Sequence, residues 1–366
     1  MSCPTYPEID LAEWGEILLE PLQGRRYPLG GTLELTDRCN LACVHCYINQ
    51  PAASRETQAR ELITDQVLNI LDQITEAGCL FLLLTGGEIL LRPDFPEIYR
   101  QIKRRGLLVT LFTNATLVTQ RIADLLADLR PQGIEISLYG ASQKTYEKVT
   151  QAPGSYARCR RGIELLLERR LPVALKTVLL TINSKEIDEM KILAEELGVP
   201  FRYDVTLWPR VDGSQAPYTY QISSQEIIAL DLEDSQRKQE WEKTAELFSG
   251  QMVRSEYVFN CGAGLRTFHI NSLGQLSICM MSRHPSFDLL HMSFREGWER
   301  LGTLRQEKRK LSTTCQTCTV GALCSQCPGW SQSVHGDNET LVDSVCELGH
   351  LRAMQFQSTD QNTTGD

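Results

Sequence analysis

The run Thr32-Leu33-Glu34-Leu35-Thr36-Asp37-Arg38-Cys39-Asn40-Leu41-Ala42-Cys43-Val44-His45-Cys46 begins as an apolar strand and ends in three thiols spaced x3 then x2. Three thiolates leave one iron of a four-iron cluster without a protein ligand, and an open iron is where chemistry can take place. A structural zinc site is normally closed by a fourth Cys or His, and its knuckle usually has a two-residue gap. His45 is a fourth ligand in principle. Its place between Val44 and Cys46 is poor geometry for closing a tetrahedron, so the spacing favours a cluster over zinc.

Outward from this loop, the chain alternates. Apolar β runs are expected at 32–36, 80–85, 107–113, 133–138, 173–180 and 201–207, each followed by an amphipathic segment. Thr64 is placed to cap a helix burying Val67, Leu71 and Ile74 and stopped by Gly78. Ser184 is placed to cap another that carries Ile187, Met190, Ala194 and Leu197 and is closed by Gly198. Strand-then-helix repetition is the mark of a parallel sheet covered by helices. Six such units predict an α/β fold, a partial (β/α)6 TIM-like barrel with its functional groups at the C-terminal ends of the strands. A short helical pattern at 8–22 precedes the barrel. Residues 208–255 read as a bridge with a Gln- and Glu-rich helical stretch at 224–247. Beyond it a β-hairpin is expected around Asn271-Ser272-Leu273-Gly274, and the polar tail 351–366 is expected to fray. No internal repeat is visible.

Composition narrows the function. The chain has 366 residues, 42% of them hydrophobic, with a formal net charge of -9. That charge argues against gripping phosphate backbones, so no nucleic-acid partner is expected. No run approaches a membrane span, and the start lacks a secretory signal, so no membrane partner and a cytoplasmic location are expected. In that compartment the thirteen cysteines are not expected to form disulfides, and most read as metal ligands. Cys3, Cys79 and Cys159 fall outside any ligand spacing and read as ordinary small residues.

Thr85-Gly86-Gly87-Glu88 directly follows the second strand. Two glycines let a backbone approach a ligand closely, and the carboxylate after them can accept from an ammonium; Gly-Gly turns after buried strands are also common. Together with the x3-x2 thiols, this run resembles the GGE motif of the radical S-adenosylmethionine (SAM) enzymes, whose cluster loop chelates SAM through the open iron. The resemblance implies that Gly86, Gly87 and Glu88 hold the amino group of SAM. It places Ser137, in Ile136-Ser137-Leu138-Tyr139-Gly140, near the ribose, and puts His45 where that family usually has an aromatic residue. Lys176 would face the barrel mouth and pair with an anion, the SAM carboxylate or a substrate acid. Asn183 is a further candidate that can equally end a strand or begin a turn.

The C-terminal third carries Cys261, Cys279, Cys315, Cys318, Cys324, Cys327 and Cys346. Two zinc knuckles would use four of these. The order C-x(n)-G-x4-C, then a dense four-Cys run, then a lone Cys, resembles the SPASM domain, although the last gap is x2 where x3 is usual. That resemblance implies two auxiliary four-iron clusters, and so three [4Fe-4S] clusters in all. Cys315, Cys318, Cys324 and Cys346 would close one, leaving Cys261, Cys279 and Cys327 for another with an open iron or a non-Cys ligand, for which His269 and His284 are candidates. The implied organisation is an N-terminal extension at 1–28, a core barrel at 29–207, the bridge at 208–255, a SPASM domain with a hairpin and short helices at 256–350, and the tail.

SPASM-bearing relatives mostly modify ribosomally made peptides. The expected function is therefore a peptide maturase that cleaves SAM reductively, abstracts a hydrogen atom from a precursor peptide and uses its auxiliary clusters in the oxidation. A sulfatase-activating enzyme and a small-metabolite enzyme are the alternatives within the family, and an iron-sulfur electron carrier is the one outside it. The expected partners are the precursor peptide, an electron donor such as flavodoxin or ferredoxin, and a separate small protein that recognises the leader, because 1–28 is shorter than the roughly eighty residues of a winged-helix recognition domain. Asp204, Tyr203 and Tyr139 are unranked candidate acids and bases.

Overall fold

The computed structural model describes residues 20, 23–48, 50–247, 255–310, 315 and 318–356. The helical pattern expected at 8–22 lies, apart from Glu20, outside the described residues. Six parallel strands lie side by side in chain order: β1 (Gly30–Thr36), β2 (Phe81–Gly86), β3 (Leu108–Thr113), β4 (Gly133–Ser137), β5 (Val173–Val178) and β6 (Phe201–Asp204). Leu33, Leu35, Leu82, Leu84, Val109, Leu111, Ile134, Ile136 and Leu175 point from these strands into the core, none more than 1% exposed. That density of buried aliphatics is what a sheet covered by helices requires. It is the partial barrel expected of the sequence.

The covering helices follow the apolar spacing. Helix α1 (Thr64–Glu76) buries Val67, Ile70, Leu71 and Ile74, and Gly78 follows it at φ +94°. Two expected caps are not made. The residue before α1 is Ile63, and Thr64 instead donates to Asp94 Oδ2 at 2.7 Å. Ser184 lies in a short 3-10 turn, Ser184–Glu186, that leads into α2 (Ile187–Glu196) without side-chain capping. Glu186, which precedes α2, accepts from Ser142 Oγ at 2.8 Å and from the amides of Ala141 and Ser142.

The hairpin of the C-terminal region is not a separate layer. Strand β7 (Thr267–Ile270) pairs parallel with β1, from Gly30↔Thr267 to Leu33↔Ile270, and β8 (Gln275–Ser277) and β9 (Phe287–Asp288) continue the sheet antiparallel. The nine-stranded order is thus β9-β8-β7-β1-β2-β3-β4-β5-β6. Gly31 makes the β1-β7 contact possible, since a Cβ there would lie 2.3 Å from the Phe268 ring.

The bridge forms two helices, α3 (Ser224–Glu233) and α4 (Ser235–Leu247), broken at Asp234. The expected frayed tail is corrected in its first part: α5 (Asp343–Phe356) runs through Leu351 to Phe356. Its Arg352, 3% exposed, donates through Nε to the fully buried Asp231 at 2.9 Å, and Arg237 donates to the same carboxylate. An ion pair shared among three helices ties α5 to the bridge. Among the described residues no helix is long and apolar enough to cross a membrane.

Candidate active site

The loop after β1 is held from both sides. Arg38, nearly buried, makes a two-pronged contact with Glu61, each prong 2.9 Å. Further along, the Ala42 and Val44 amides donate to the Thr150 and Val149 carbonyls, both at 3.0 Å. Between these anchors, Cys39, Cys43 and Cys46 line one cavity of about 460 Å³ at the C-terminal ends of the strands. Burial pushes the Cys39 thiol up to about 12, with Glu88 and Cys46 adding to it. Burial also raises Cys43, followed by the repulsion of Cys46 and Cys39. Thiols crowded in a dry pocket are groups that a metal centre would deprotonate. Among the described residues no three His, Cys, Asp or Glu side chains converge tightly enough to hold a single metal ion. Three thiols lining one cavity are the protein ligands that an open four-iron cluster would take.

Gly86 and Gly87 line the same cavity, but their need for glycine comes from the chain itself. A Cβ on Gly86 would stand 2.2 Å from the Thr36 carbonyl oxygen, and one on Gly87 the same distance from that of Arg38. The Gly87 and Glu88 amides donate to those two carbonyls at 2.7 and 2.9 Å. The glycines therefore dock the end of β2 onto the stem of the cysteine loop.

Glu88 departs from its expected role. It is fully buried, does not line the cavity, and its carboxylate accepts from Thr113 Oγ1 at 2.8 Å and from the Asn114 and Leu90 amides at 2.8 and 3.0 Å. Asn114 in turn donates to Asn40 Oδ1 at 3.1 Å and points its Nδ2 at Cys39 Sγ, 3.7 Å away. Glu88 thus shapes the cysteine loop through Asn114.

Ser137, His45 and Lys176 all face the cavity. The His45 ring packs edge-on against Tyr139 at 4.6 Å, and burial pushes its pKa down to about 4, so it is a neutral wall. Lys176 sits over the face of Phe112 with its Nζ 3.4 Å from Glu135 Oε2. Burial lowers its pKa to about 7 against the pull of that carboxylate. Asn183 does not line the cavity and is fully occupied: its Oδ1 accepts from the Leu180 amide at 2.7 Å and its Nδ2 donates to the Tyr139 and Val178 carbonyls, both at 3.2 Å. It closes the turn after β5. Of the acid-base candidates, Tyr139 and Asp204 line the cavity and Tyr203 does not.

Other parts of the wall come from residues the sequence reading did not single out, among them Tyr47, Phe112, Arg202, Trp208, Met280 and Met281. The two methionines directly follow Cys279, so one side of the cavity belongs to the C-terminal region. Its thiols fall into two groups. Burial raises Cys324, with Cys346, Cys315 and Cys318 adding to it. Burial likewise raises Cys327, with Cys279 and Cys261 as its thiol neighbours. Of the candidate fourth ligands, His269 is ruled out, because it is 1% exposed inside the barrel, with Nδ1 2.9 Å from Ser277 Oγ and Nε2 3.4 Å from Glu34 Oε2. His284 lies in a loop whose backbone is tied on both sides to Gln332.

Comparison with known proteins agrees with this geometry. Residues 33–196 match the radical SAM superfamily. The chain is 28% identical over 324 residues to the AdoMet-dependent heme synthase of Methanosarcina barkeri, covering 83% of this chain and 92% of that one. It is 27% identical over 308 residues to the mycofactocin maturase MftC of Mycobacterium tuberculosis, covering 81% and 77%. Streptococcus suis SuiB, solved with its precursor peptide SuiA, superposes with a TM-score of 0.66 at 16% identity over 94% of this chain and 85% of its own, a likeness of fold. Residues 33–196 are thus a radical SAM domain. The chain carries the domain of enzymes that work with SAM and an iron-sulfur cluster, and the electron-carrier reading is set aside.

Proposed function

We propose that the protein is a radical SAM peptide maturase with three four-iron clusters. The observation that carries this reading is the shared wall of the cavity, where Cys39, Cys43 and Cys46 face Met280 and Met281 beside Cys279. Cys39, Cys43 and Cys46 would hold one cluster, Cys315, Cys318, Cys324 and Cys346 a second, and Cys261, Cys279 and Cys327 a third. When bound, the first cluster and SAM supply a 5′-deoxyadenosyl radical that takes a hydrogen atom from the substrate.

The chain's own residues orient and enclose. The backbone of Gly86 and Gly87 would receive the amino group of SAM, and Ser137 and Lys176 its ribose and carboxylate. Glu88 would act from behind, through Thr113 and Asn114. Tyr139, Phe112, Leu207 and Trp208 keep the reacting carbon away from water. The maturase relative and the peptide bound to the SuiB fold support a precursor peptide as substrate. A small leader-recognition protein and a flavodoxin or ferredoxin would complete the system.

A second reading is favoured by one observation: the match to the heme synthase spans nearly the whole of that protein. The aromatic and methionine wall, with Lys176 and Arg202 in it, would also suit a tetrapyrrole and its carboxylates. Anaerobic turnover with SAM separates the two. 5′-Deoxyadenosine formation that rises severalfold with a short peptide encoded beside this protein supports the maturase. A rise with an iron porphyrin alone replaces it with the tetrapyrrole reading.

A further inference from the structure

Trp208 follows β6 and lines the cavity. Its indole lies on that of Trp330, with centroids 3.5 Å apart and planes 8° from parallel. Trp330 is 4% exposed and its amide donates to the Cys327 carbonyl at 3.0 Å, inside a cluster in which Cys327 itself packs. Beside it, a Cβ on Gly329 would stand 3.1 Å from the Met281 Cβ and 3.5 Å from Cys327 Sγ. One end of the stack thus faces the cavity and the other packs beside Cys327, the neighbour of Cys261 and Cys279. Trp241, under Arg352, and Trp298, beside Phe294, do not line the cavity.

Face-to-face overlap this close exceeds what packing alone asks of two indoles, which more often meet offset or edge-on. Indole is also among the most easily oxidised side chains. We propose that the stacked indoles of Trp208 and Trp330 are the path by which one electron leaves a substrate radical in the cavity for the iron-sulfur cluster held at Cys261, Cys279 and Cys327. This rests on the reading of those thiols as cluster ligands. The balance is closed: hydrogen-atom abstraction leaves a carbon radical and 5′-deoxyadenosine, loss of one proton and one electron completes the new bond, and the electron reduces the oxidised cluster by one unit. Trp208 and Trp330 return to their starting state.

The test needs no substrate. In the anaerobic, fully reconstituted protein, a 295 nm flash makes excited Trp330 donate an electron to the cluster, read as a bleach near 400 nm with an indole radical near 510 nm. If charge moves along the stack, the hole passes to Trp208 and recombination is slow. Trp208→Phe should then shorten the life of the pair at least about tenfold, Trp330→Phe should abolish it, and Trp298→Phe should leave it unchanged. An unchanged lifetime in Trp208→Phe, or no charge separation in wild type although the cluster is present, overturns the proposal. Iron content tells the underlying reading apart: if Cys261→Ala, Cys279→Ala and Cys327→Ala together remove no iron, the ligand assignment itself has failed.

Discussion

Arg283 Nη2 stands 2.7 Å from Glu34 Oε1, and its Nη1 3.0 Å from Oε2, so the loop leaving Cys279 is bolted to the first strand of the barrel. Glu34 is fully buried, and Tyr47 Oη, one residue past Cys46, donates to the same carboxylate at 3.2 Å. One side chain therefore ties together both cysteine-bearing walls of the cavity.

Glu34→Gln should leave the half-buried Arg283 without its main counter-charge and cost about 3 kcal/mol. Burial alone would raise the Glu34 pKa, but His269 and Arg283 more than offset it and hold it at about 2, below the ordinary 4.5. A depressed carboxylate contributes stability that is complete above 4.5 and is lost as pH falls through about 2. Urea unfolding of the cluster-free chain should show wild type weakening through that window. The Gln variant should lose that part of the slope; equal slopes would mean Glu34 is not the group responsible.

Lys176 should make SAM binding depend on pH. Its pKa, lowered to about 7 by burial against the pull of Glu135, means that it loses its charge as pH rises through neutrality. Affinity for SAM, followed by equilibrium dialysis on the reconstituted protein, should fall severalfold between pH 6 and pH 8, roughly one unit either side of that value. Lys176→Arg should flatten the profile, since guanidinium stays charged throughout. A wild-type profile that is already flat would remove Lys176 from the anion site.

Gly86→Ala should be severe for a mechanical reason. Gly86 has φ +129°, and the added Cβ would press within 2.2 Å of the Thr36 carbonyl oxygen. Strain of about 1–3 kcal/mol from the backbone alone is expected, with the clash on top. Thermal unfolding should show a large loss, and the iron held by Cys39, Cys43 and Cys46 should fall with it. A stable Gly86→Ala variant that merely fails to bind SAM would point to a ligand role alone.

Iron counting tests the three-cluster assignment. About twelve irons per reconstituted chain should fall to about eight when Cys39, Cys43 and Cys46 are all replaced by Ala. A further fall of about four should follow loss of Cys318, Cys324 and Cys346. About four irons in wild type, with zinc present, would make the C-terminal array structural and remove the main support for an oxidative maturase.

What could be read in advance followed from local pattern. Leu82 and Leu84 or Ile134 and Ile136 announce buried strands because a strand covered on both faces must be apolar, whereas the grouping of the C-terminal thiols came only from the resemblance. Glu88 was misread, and Asn183 was left between a site and a turn, because a polar residue at a strand end looks the same whether it faces a ligand or neighbouring amides. Only the coordinates show Thr113 and Leu180 claiming them. Trp208, Met280 and Met281 carry no motif. Trp208 arrives with the end of β6, and the two methionines reach the cavity because β7 joins β1, a pairing between segments far apart in sequence that no local period encodes.

That pairing also sets a timetable. A chain leaving the ribosome completes β1 to β6 while the outer edge of β1 is still bare, and the strand that covers it, Thr267–Ile270, emerges only after the bridge. Until then the domain offers unpaired amides and carbonyls, a template for pairing with a stranger. The C-terminal region thus closes an edge of the sheet, and a chain cut short before it should be lost to aggregation rather than survive as a simpler enzyme.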